Sequence, residues 1–136
     1  AKNIKRRAEY LDPTISFLIE DLKVRGMFES TLLVFMSEFG RTPQLRDSGY
    51  NQTLGAGHYA NAWTTWLAGG GVKGGQVIGK VDAKGGEVTE RPVNAQDFLA
   101  TICHSLGIDC HKEYQSKEGR PMTFLGKSAQ PVQEAF

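Results

Sequence analysis

The chain has 136 residues, with 16 Lys plus Arg, 15 Asp plus Glu and a net charge of +1. This length suits a single domain, and the near-neutral balance gives no reason to expect nucleic acid or an anionic membrane surface as a partner. No apolar run approaches the ~20 residues that a membrane-spanning helix needs. The composition therefore favours one domain over residues 1–136 with no membrane span.

The first element in chain order is a predicted helix. Asp12 followed by Pro13 is typical of a helix start, because aspartate caps free N–H groups and proline suits the first turn. Apolar residues then recur at helical spacing, and they are Leu11, Ile15, Leu18, Ile19 and Leu22. Gly26 is a suitable C-terminal cap. The pattern predicts an amphipathic helix that ends near Gly26.

A buried strand is predicted at residues 31–36, which are mostly apolar and show no alternation, as in strands of parallel sheets. The strand runs into Ser37-Glu38-Phe39-Gly40-Arg41-Thr42-Pro43. In open α/β sheets ligands bind beyond the carboxyl ends of the strands, so Glu38 and Arg41 are candidate site residues. The alternative is a strand that simply leaves the core through polar residues.

A long polar loop is predicted at residues 41–61, which are rich in Gly and Asn and show no period. The loop contains Gly55-Ala56-Gly57-His58-Tyr59. Small neighbours leave the imidazole of His58 accessible, and a neutral imidazole is a common metal ligand and acid–base group. The alternative is a surface histidine that only forms hydrogen bonds.

The rest of the chain predicts a strand, a hairpin, a helix and an irregular tail. The strand covers residues 63–68, and the glycine-rich run 69–75 lacks the Gly-Lys-Ser/Thr of a Walker loop, so it is interpreted as a turn. Residues 77–81 and 87–90 are expected to form the hairpin. Asn94 and Asp97 occupy capping-box positions before an apolar stripe of Phe98, Leu99, Ile102, Cys103 and Leu106, and Gly107 ends the helix. The tail from residue 111 is predicted to be irregular, with a turn at Gly119-Arg120-Pro121.

The two cysteines, Cys103 and Cys110, are too few for a disulfide framework. Cys103 lies on the apolar face of the last helix, where a small buried side chain is expected. Cys110 follows in the next loop, so a local disulfide is an open alternative, and the pair does not define a compartment.

The order of these motifs resembles the secreted, sulfatase-like proteins of unknown function in the alkaline phosphatase and sulfatase superfamily. The resemblance rests on the strand with Ser37-Glu38-Phe39-Gly40-Arg41-Thr42-Pro43, the histidine loop, Leu67-Ala68-Gly69-Gly70-Gly71, Arg91-Pro92-Val93 and the helix from Asp97 to Ile108. It covers nearly the whole chain from about residue 10. It implies an α/β fold, a partial parallel-sheet sandwich of the alkaline phosphatase-like type with a C-terminal hairpin and helix.

The resemblance also implies roles for individual residues. Glu38 and His58 match metal-ligand positions of the superfamily, and Arg41 would contact an anion. Phe39 stands where the superfamily has a histidine ligand, and the Arg and Asp of the usual Gly-Arg-Asp-His-Trp element are missing before His58. The ligand set for a divalent metal (zinc, calcium or magnesium) is therefore incomplete, since metal sites generally use at least three protein ligands.

The resemblance implies the C-terminal part of a larger, metal-dependent hydrolase-fold domain that acts on sulfate or phosphate esters. In an active protein the metal would activate a nucleophile from an N-terminal segment. The alternative is a non-catalytic descendant that binds a polysaccharide or a protein. A secreted or periplasmic location, a sulfated or phosphorylated small molecule or polysaccharide as ligand, and homo-oligomers formed through exposed strand edges are further expectations.

Overall fold

The fold, taken from a computed structural model that describes residues 2–47 and 54–136, combines two α-helices with four two-stranded antiparallel sheets. In chain order the elements are α1 (Lys2–Val24), β1 (Leu33–Phe35), β2 (Gly40–Asp47), β3 (Leu54–Tyr59), β4 (Trp66–Ala68), β5 (Lys80–Val81), β6 (Val88–Glu90), α2 (Ala95–Ser105), β7 (Glu113–Gln115) and β8 (Pro121–Thr123). Short 3-10 helices occupy Phe28–Ser30 and Gln133–Ala135. No helix in these described ranges is long and apolar enough to cross a membrane.

The mixed α/β class is confirmed, but the prediction of parallel strands is wrong for the described residues. β1 pairs with β4 in antiparallel register, with Leu33 opposite Ala68 and Phe35 opposite Trp66. β1 is also not buried on both faces, because Val34 and Phe35 are exposed. An apolar run of this length fits a sheet of either polarity, so the sequence pattern could not decide between them.

The first element is a helix, as predicted, but the predicted start of this helix at Asp12 is wrong. α1 starts at Lys2 and continues through Pro13, so Asp12 is not its cap. Proline removes one backbone donor from a helix, and beside this gap the Thr14 hydroxyl donates a hydrogen bond to the Tyr10 carbonyl at 2.7 Å. Gly26 ends the helix as predicted, with a positive φ of 67°.

The apolar stripe of α1 is only partly covered by the described residues, with Ile15 and Ile19 half-buried. Leu22 is buried, whereas Leu11 and Leu18 are 45% and 44% exposed. Phe17 is 71% exposed. The helix therefore buries only part of the apolar surface that such a pattern normally packs.

Two segments that were predicted to be irregular form antiparallel hairpins. β2 and β3 occupy most of the expected loop 41–61, whose residues 48–53 lie outside the described residues. In the tail, Tyr114 of β7 pairs with Met122 of β8. The first hairpin joins a polar strand to a glycine-rich one, and the strands of the second have only three residues each, so neither shows the apolar alternation from which strands are inferred.

The C-terminal half follows the prediction closely. The Asn94 side chain accepts a hydrogen bond from the Asp97 amide at 2.9 Å and caps α2, and Gly107 ends the helix with a φ of 68°. The hairpin β5–β6 forms around the predicted glycines. The glycine run 69–71 forms a turn in which all three φ angles are positive. Glycine is the residue best suited to such a turn, because it lacks the Cβ that penalises positive φ.

The last residues pack against α2 through Thr101, which is 1% exposed. Its hydroxyl donates to the Asp97 carbonyl at 2.7 Å and accepts from the Val132 amide at 2.9 Å.

Thr101→Val keeps the side-chain shape but leaves a buried N–H unpaired, so we expect it to cost about 1–3 kcal/mol of unfolding free energy. In native-state hydrogen exchange, the Val132 amide should exchange rapidly in Thr101→Val and slowly in Thr101→Ser. Equal protection in both variants would contradict this role of the hydroxyl.

An ion pair also holds the C-terminal segment. Arg91 Nε and Nη2 donate to the two carboxylate oxygens of Glu134 at 2.6 and 2.8 Å. This guanidinium lowers the pKa of Glu134 from 4.5 to about 2. Because the folded-state pKa lies below the unfolded one, the contribution of the pair is present above pH 4.5 and is lost as the pH falls toward about 2.

Candidate ligand site on the hairpin of strands 2 and 3

The backbone between β1 and β2 bends at the residues that the sequence marks as a site. Glu38 lies three positions after the end of β1, in a bend where the Ser37 hydroxyl donates to the Phe39 carbonyl at 2.7 Å. β2 then begins at Gly40, which is buried against the backbone of Ala62. An alanine Cβ at this position would overlap the Ala62 carbonyl oxygen, so the close approach requires glycine.

The register of the hairpin brings Arg41 and His58 together. Gly40 pairs with Tyr59, and Arg41 pairs directly with His58. Residues that are directly opposite in an antiparallel pair project from the same face of the sheet. The predicted anion contact and the predicted imidazole ligand, 17 positions apart in sequence, are therefore cross-strand neighbours.

Thr42 holds the two strands in this register despite an irregularity in the pairing between Arg41 and Leu45. Its hydroxyl accepts a hydrogen bond from the Gly57 amide at 2.9 Å and donates one to the Gln44 carbonyl at 2.9 Å. Such side-chain bonds replace ladder bonds where a strand bulges. Thr42, the neighbour of Arg41 in β2, thus helps to fix the pairing of Arg41 with His58.

Phe39 connects these two polar side chains. Its ring centroid lies 4.0 Å from that of His58, with an interplanar angle of 34°. The guanidinium carbon of Arg41 lies 5.6 Å from the same ring, within cation–π range. Phe39, Arg41 and His58 form one cluster, which we call the hairpin cluster. From the sequence, Phe39 stood out only as a lost ligand, and this packing role was missed.

Glu38 lies next to the hairpin cluster along the chain, directly before Phe39 and two residues before the Gly40–Tyr59 pair. Its side chain is exposed. The backbone thus brings Glu38 beside the strand that carries His58, while no hydrogen bond or ion pair joins the two side chains in the structure as described. Direct cooperation of the Glu38 carboxylate with the His58 imidazole stays a prediction.

A second hairpin supports the strand that carries His58. The Tyr59 hydroxyl donates to the Gly86 carbonyl at 2.7 Å, at the turn between β5 and β6. In that turn the Asp82 carboxylate accepts hydrogen bonds from the amides of Gly86 and Glu87 at 2.6 and 3.1 Å. These amide donors lower the pKa of Asp82. The turn is therefore held together by the ionised form of Asp82.

The described residues do not by themselves fit a complete metal centre. Within residues 2–47 and 54–136, no three or more His, Cys, Asp or Glu side chains come together in a way that could hold a metal ion. Glu38 and His58 supply one carboxylate and one imidazole, fewer than the three or four protein ligands of typical zinc sites. The Phe39 ring, which packs against His58, has no atom that could serve as a metal ligand.

An apolar groove in the described part of the chain is not lined by the hairpin cluster. It has a volume of about 530 Å³ and an apolar lining that includes Trp63, Trp66, Val77, Ile78, Val93 and Phe98, but not Glu38, Arg41 or His58. The indole Nε1 of Trp63 is buried and has no hydrogen-bond partner in the part of the chain that the structure describes. The candidate site is thus an exposed hairpin face and not a closed pocket.

Comparison with protein families places the whole chain in one group. Residues 1–136 match the family described as "Protein of unknown function (DUF1501)". The chain belongs to this family. Comparison with curated proteins and with solved structures gave no match for it. DUF1501 membership therefore accounts for the full length of the chain, and the hairpin cluster is a feature of a DUF1501 protein.

Proposed function

We propose that this DUF1501 chain is the C-terminal part of a sulfatase-like, metal-dependent hydrolase-fold protein that acts on sulfate or phosphate esters. The observation that carries the proposal is the cross-strand pair of Arg41 and His58, which follows the bend containing Glu38 between β1 and β2. The order of the sequence motifs supplies the reaction class, and a secreted or periplasmic location belongs to the same proposal.

Arg41 is the residue best suited to contact the ester. A guanidinium offers planar, paired N–H donors that match two oxygens of a sulfate or phosphate group. In this structure Arg41 is exposed, and its weak hydrogen bond to the Ala56 carbonyl is 3.5 Å long, so most of its donors face solvent. The Phe39 ring beneath the guanidinium holds it in place without competing for those donors.

Glu38 and His58 are assigned as two ligands of a divalent metal. A carboxylate and an imidazole together suit zinc, whereas calcium and magnesium prefer oxygen ligands alone. Because the described residues do not complete the ligand set, no reaction step is assigned to this chain alone. The nucleophile and the remaining ligands are assigned to another segment of the protein.

The packing of Phe39 favours a second candidate, a non-catalytic member of the same fold that binds a polysaccharide or a protein. The ring lies against His58 at 4.0 Å, and Phe39 stands in the sequence where the resembled superfamily has a histidine ligand. An exposed guanidinium beside an exposed imidazole also suits a sulfated sugar, since the guanidinium can bind the sulfate while the imidazole forms a hydrogen bond to a sugar hydroxyl.

The chain should bind an aryl sulfate or an aryl phosphate without hydrolysing it. We expect Arg41→Ala to weaken binding, followed by NMR titration, about tenfold, because charge-assisted hydrogen bonds are lost. Arg120→Ala, which removes another exposed arginine at the tail hairpin, is the matched control and should bind like the unmodified chain.

Two outcomes would contradict this assignment. Equal binding by Arg41→Ala and Arg120→Ala would show that Arg41 is not the anion contact. Release of the phenol product, abolished by His58→Ala, would show that the described chain already contains a complete catalytic site. Binding of a sulfated polysaccharide but not of the small aryl esters would favour the non-catalytic candidate.

A further inference from the structure

The two cysteines of the chain meet in one buried cluster. Cys103 is 4% exposed and Cys110 is 6% exposed, and both are free thiols. Together with Ala100, Leu125 and Ala129 they form the core between α2 and the tail. Neither thiol has a part in the proposed function, so the chemistry of this pair is independent of that function.

The end of α2 explains why the two residues enter the same core. The Gly107 amide donates to the His104 carbonyl at 3.0 Å, and the Ile108 amide donates to the Cys103 carbonyl at 2.8 Å. This pair of bonds reverses the chain, as at many helix ends that terminate in a left-handed glycine. The reversal returns the backbone toward α2 within a few residues, and the Leu125 amide then donates to the Cys110 carbonyl at 3.2 Å.

The electrostatics of Cys103 agree with a short separation between the two thiols. Burial is the larger of two causes that raise the pKa of the Cys103 thiol. The smaller cause is a negative charge on Cys110. Such an effect falls off with distance, so it requires the two side chains to be near each other.

We propose that Cys103 and Cys110 are a disulfide-forming pair that oxidises to an intramolecular bond when the protein meets a small-molecule disulfide such as oxidised glutathione. The bond would join the last turn of α2 to the segment that leads into β7. Because both cysteines are buried, the closed bond would be shielded from reducing thiols.

The oxidation balances as two thiol–disulfide exchanges. The Cys110 thiolate attacks one sulfur of oxidised glutathione, a mixed disulfide forms, and one glutathione thiolate leaves. The Cys103 thiolate then attacks the Cys110 sulfur, and the second glutathione thiolate leaves. The two cysteine protons end on the two glutathione thiols, so the protein loses two hydrogen atoms and glutathione disulfide is reduced to two thiols. Access requires a transient opening of the tail hairpin β7–β8.

The test is mass spectrometry of the chain after equilibration in glutathione redox buffers, followed by unfolding in the presence of an alkylating agent. We expect the reduced protein to take up two alkyl groups and the oxidised protein to take up none and to be lighter by two hydrogen atoms. Closing this short loop should raise Tm by about 5–10 °C relative to the reduced protein.

Single variants separate this bond from other oxidation products. Cys110→Ala and Cys103→Ala should each keep one thiol that is alkylated after unfolding or is joined to glutathione, and neither should show the Tm increase. Two alkylated thiols in the unmodified chain after oxidation, stable addition of glutathione to it, or a covalent dimer would overturn the proposal. The mass measurement on the unmodified chain decides the matter even if Cys103→Ala folds poorly.

Discussion

Replacing Gly40 with alanine should destabilise the chain strongly and separate β2 from its neighbours. The new Cβ would overlap the carbonyl oxygen of Ala62 and would lie 2.9 Å from the carbonyl carbon of the same residue. It would also lie 3.1 Å from the Tyr59 carbonyl oxygen. These are backbone atoms, which cannot rotate away as a side chain can. We expect a loss of about 2–4 kcal/mol in unfolding free energy.

Gly55→Ala is the matched control for this prediction. Gly55 lies in β3 of the same hairpin, and an added Cβ there would meet no atom of residues 2–47 and 54–136 within 4 Å. Its effect should stay within about 0.5 kcal/mol. Urea denaturation of the two variants measures the difference, and cross-strand NOEs between Arg41 and His58 report whether the hairpin register survives. Equal stability of the two variants would contradict the close packing at Gly40.

The chain should also self-associate in solution, because it leaves more surface exposed than a compact monomer does. Its accessible surface is 10602 Å². A folded monomer of 15.0 kDa is expected to expose about 7,000 Å². The excess is several times the ~800 Å² that each partner buries in an interface of standard size. In the isolated chain a surface of this size favours association with a second copy, whereas in the larger domain proposed above the same surface would meet the N-terminal segment.

The Phe35–Trp66 pair on the β1–β4 sheet is the expected centre of that contact. The two rings stack 5.5 Å apart, Phe35 is 41% exposed, and Trp66 continues into the apolar groove. The β1–β4 sheet has two strands, so each strand has an edge without a ladder partner in the described structure, and such edges act as templates for pairing. Burying one phenylalanine side chain contributes about 1.5–3 kcal/mol.

Light scattering across a concentration series tests the association. We expect the mean mass to rise with concentration, Phe35→Asp to suppress the rise, and Phe124→Asp, which changes an exposed phenylalanine outside the sheet, to leave it unchanged. A concentration-independent monomer with a cooperative melt would mean that the described elements already form a stable, self-sufficient domain.

The parts of the fold that the sequence predicted well are those set by local chemistry. Asn94 and Gly107 define α2 because capping and left-handed glycine conformations depend on neighbouring residues only. The same reasoning located the glycine turn and the β5–β6 hairpin. In the candidate site, Glu38, Arg41 and His58 were selected because a strand end and a glycine-flanked loop are local patterns too.

The remaining features depend on contacts between distant segments. Strand polarity in the β1–β4 pair follows from tertiary pairing, which an apolar run does not encode. The Arg41–His58 register depends on a hairpin that joins a polar strand to a glycine-rich one, and neither strand shows the apolar alternation that predicts a strand. Phe39 offered a signal in its aromatic side chain, but only the register shows that its ring lies against His58.

A zinc titration of the chain followed by NMR of the histidine rings tests most directly whether Glu38 and His58 belong to one ligand site. We expect the ring signals of His58 to shift at lower zinc concentrations than those of His104 and His111. Glu38→Gln should weaken that response about tenfold, whereas Glu118→Gln, at an exposed position on the tail hairpin, should not. A simultaneous response of all three histidines, or a His58 response that Glu38→Gln leaves unchanged, would contradict the assignment of Glu38 and His58 as metal ligands.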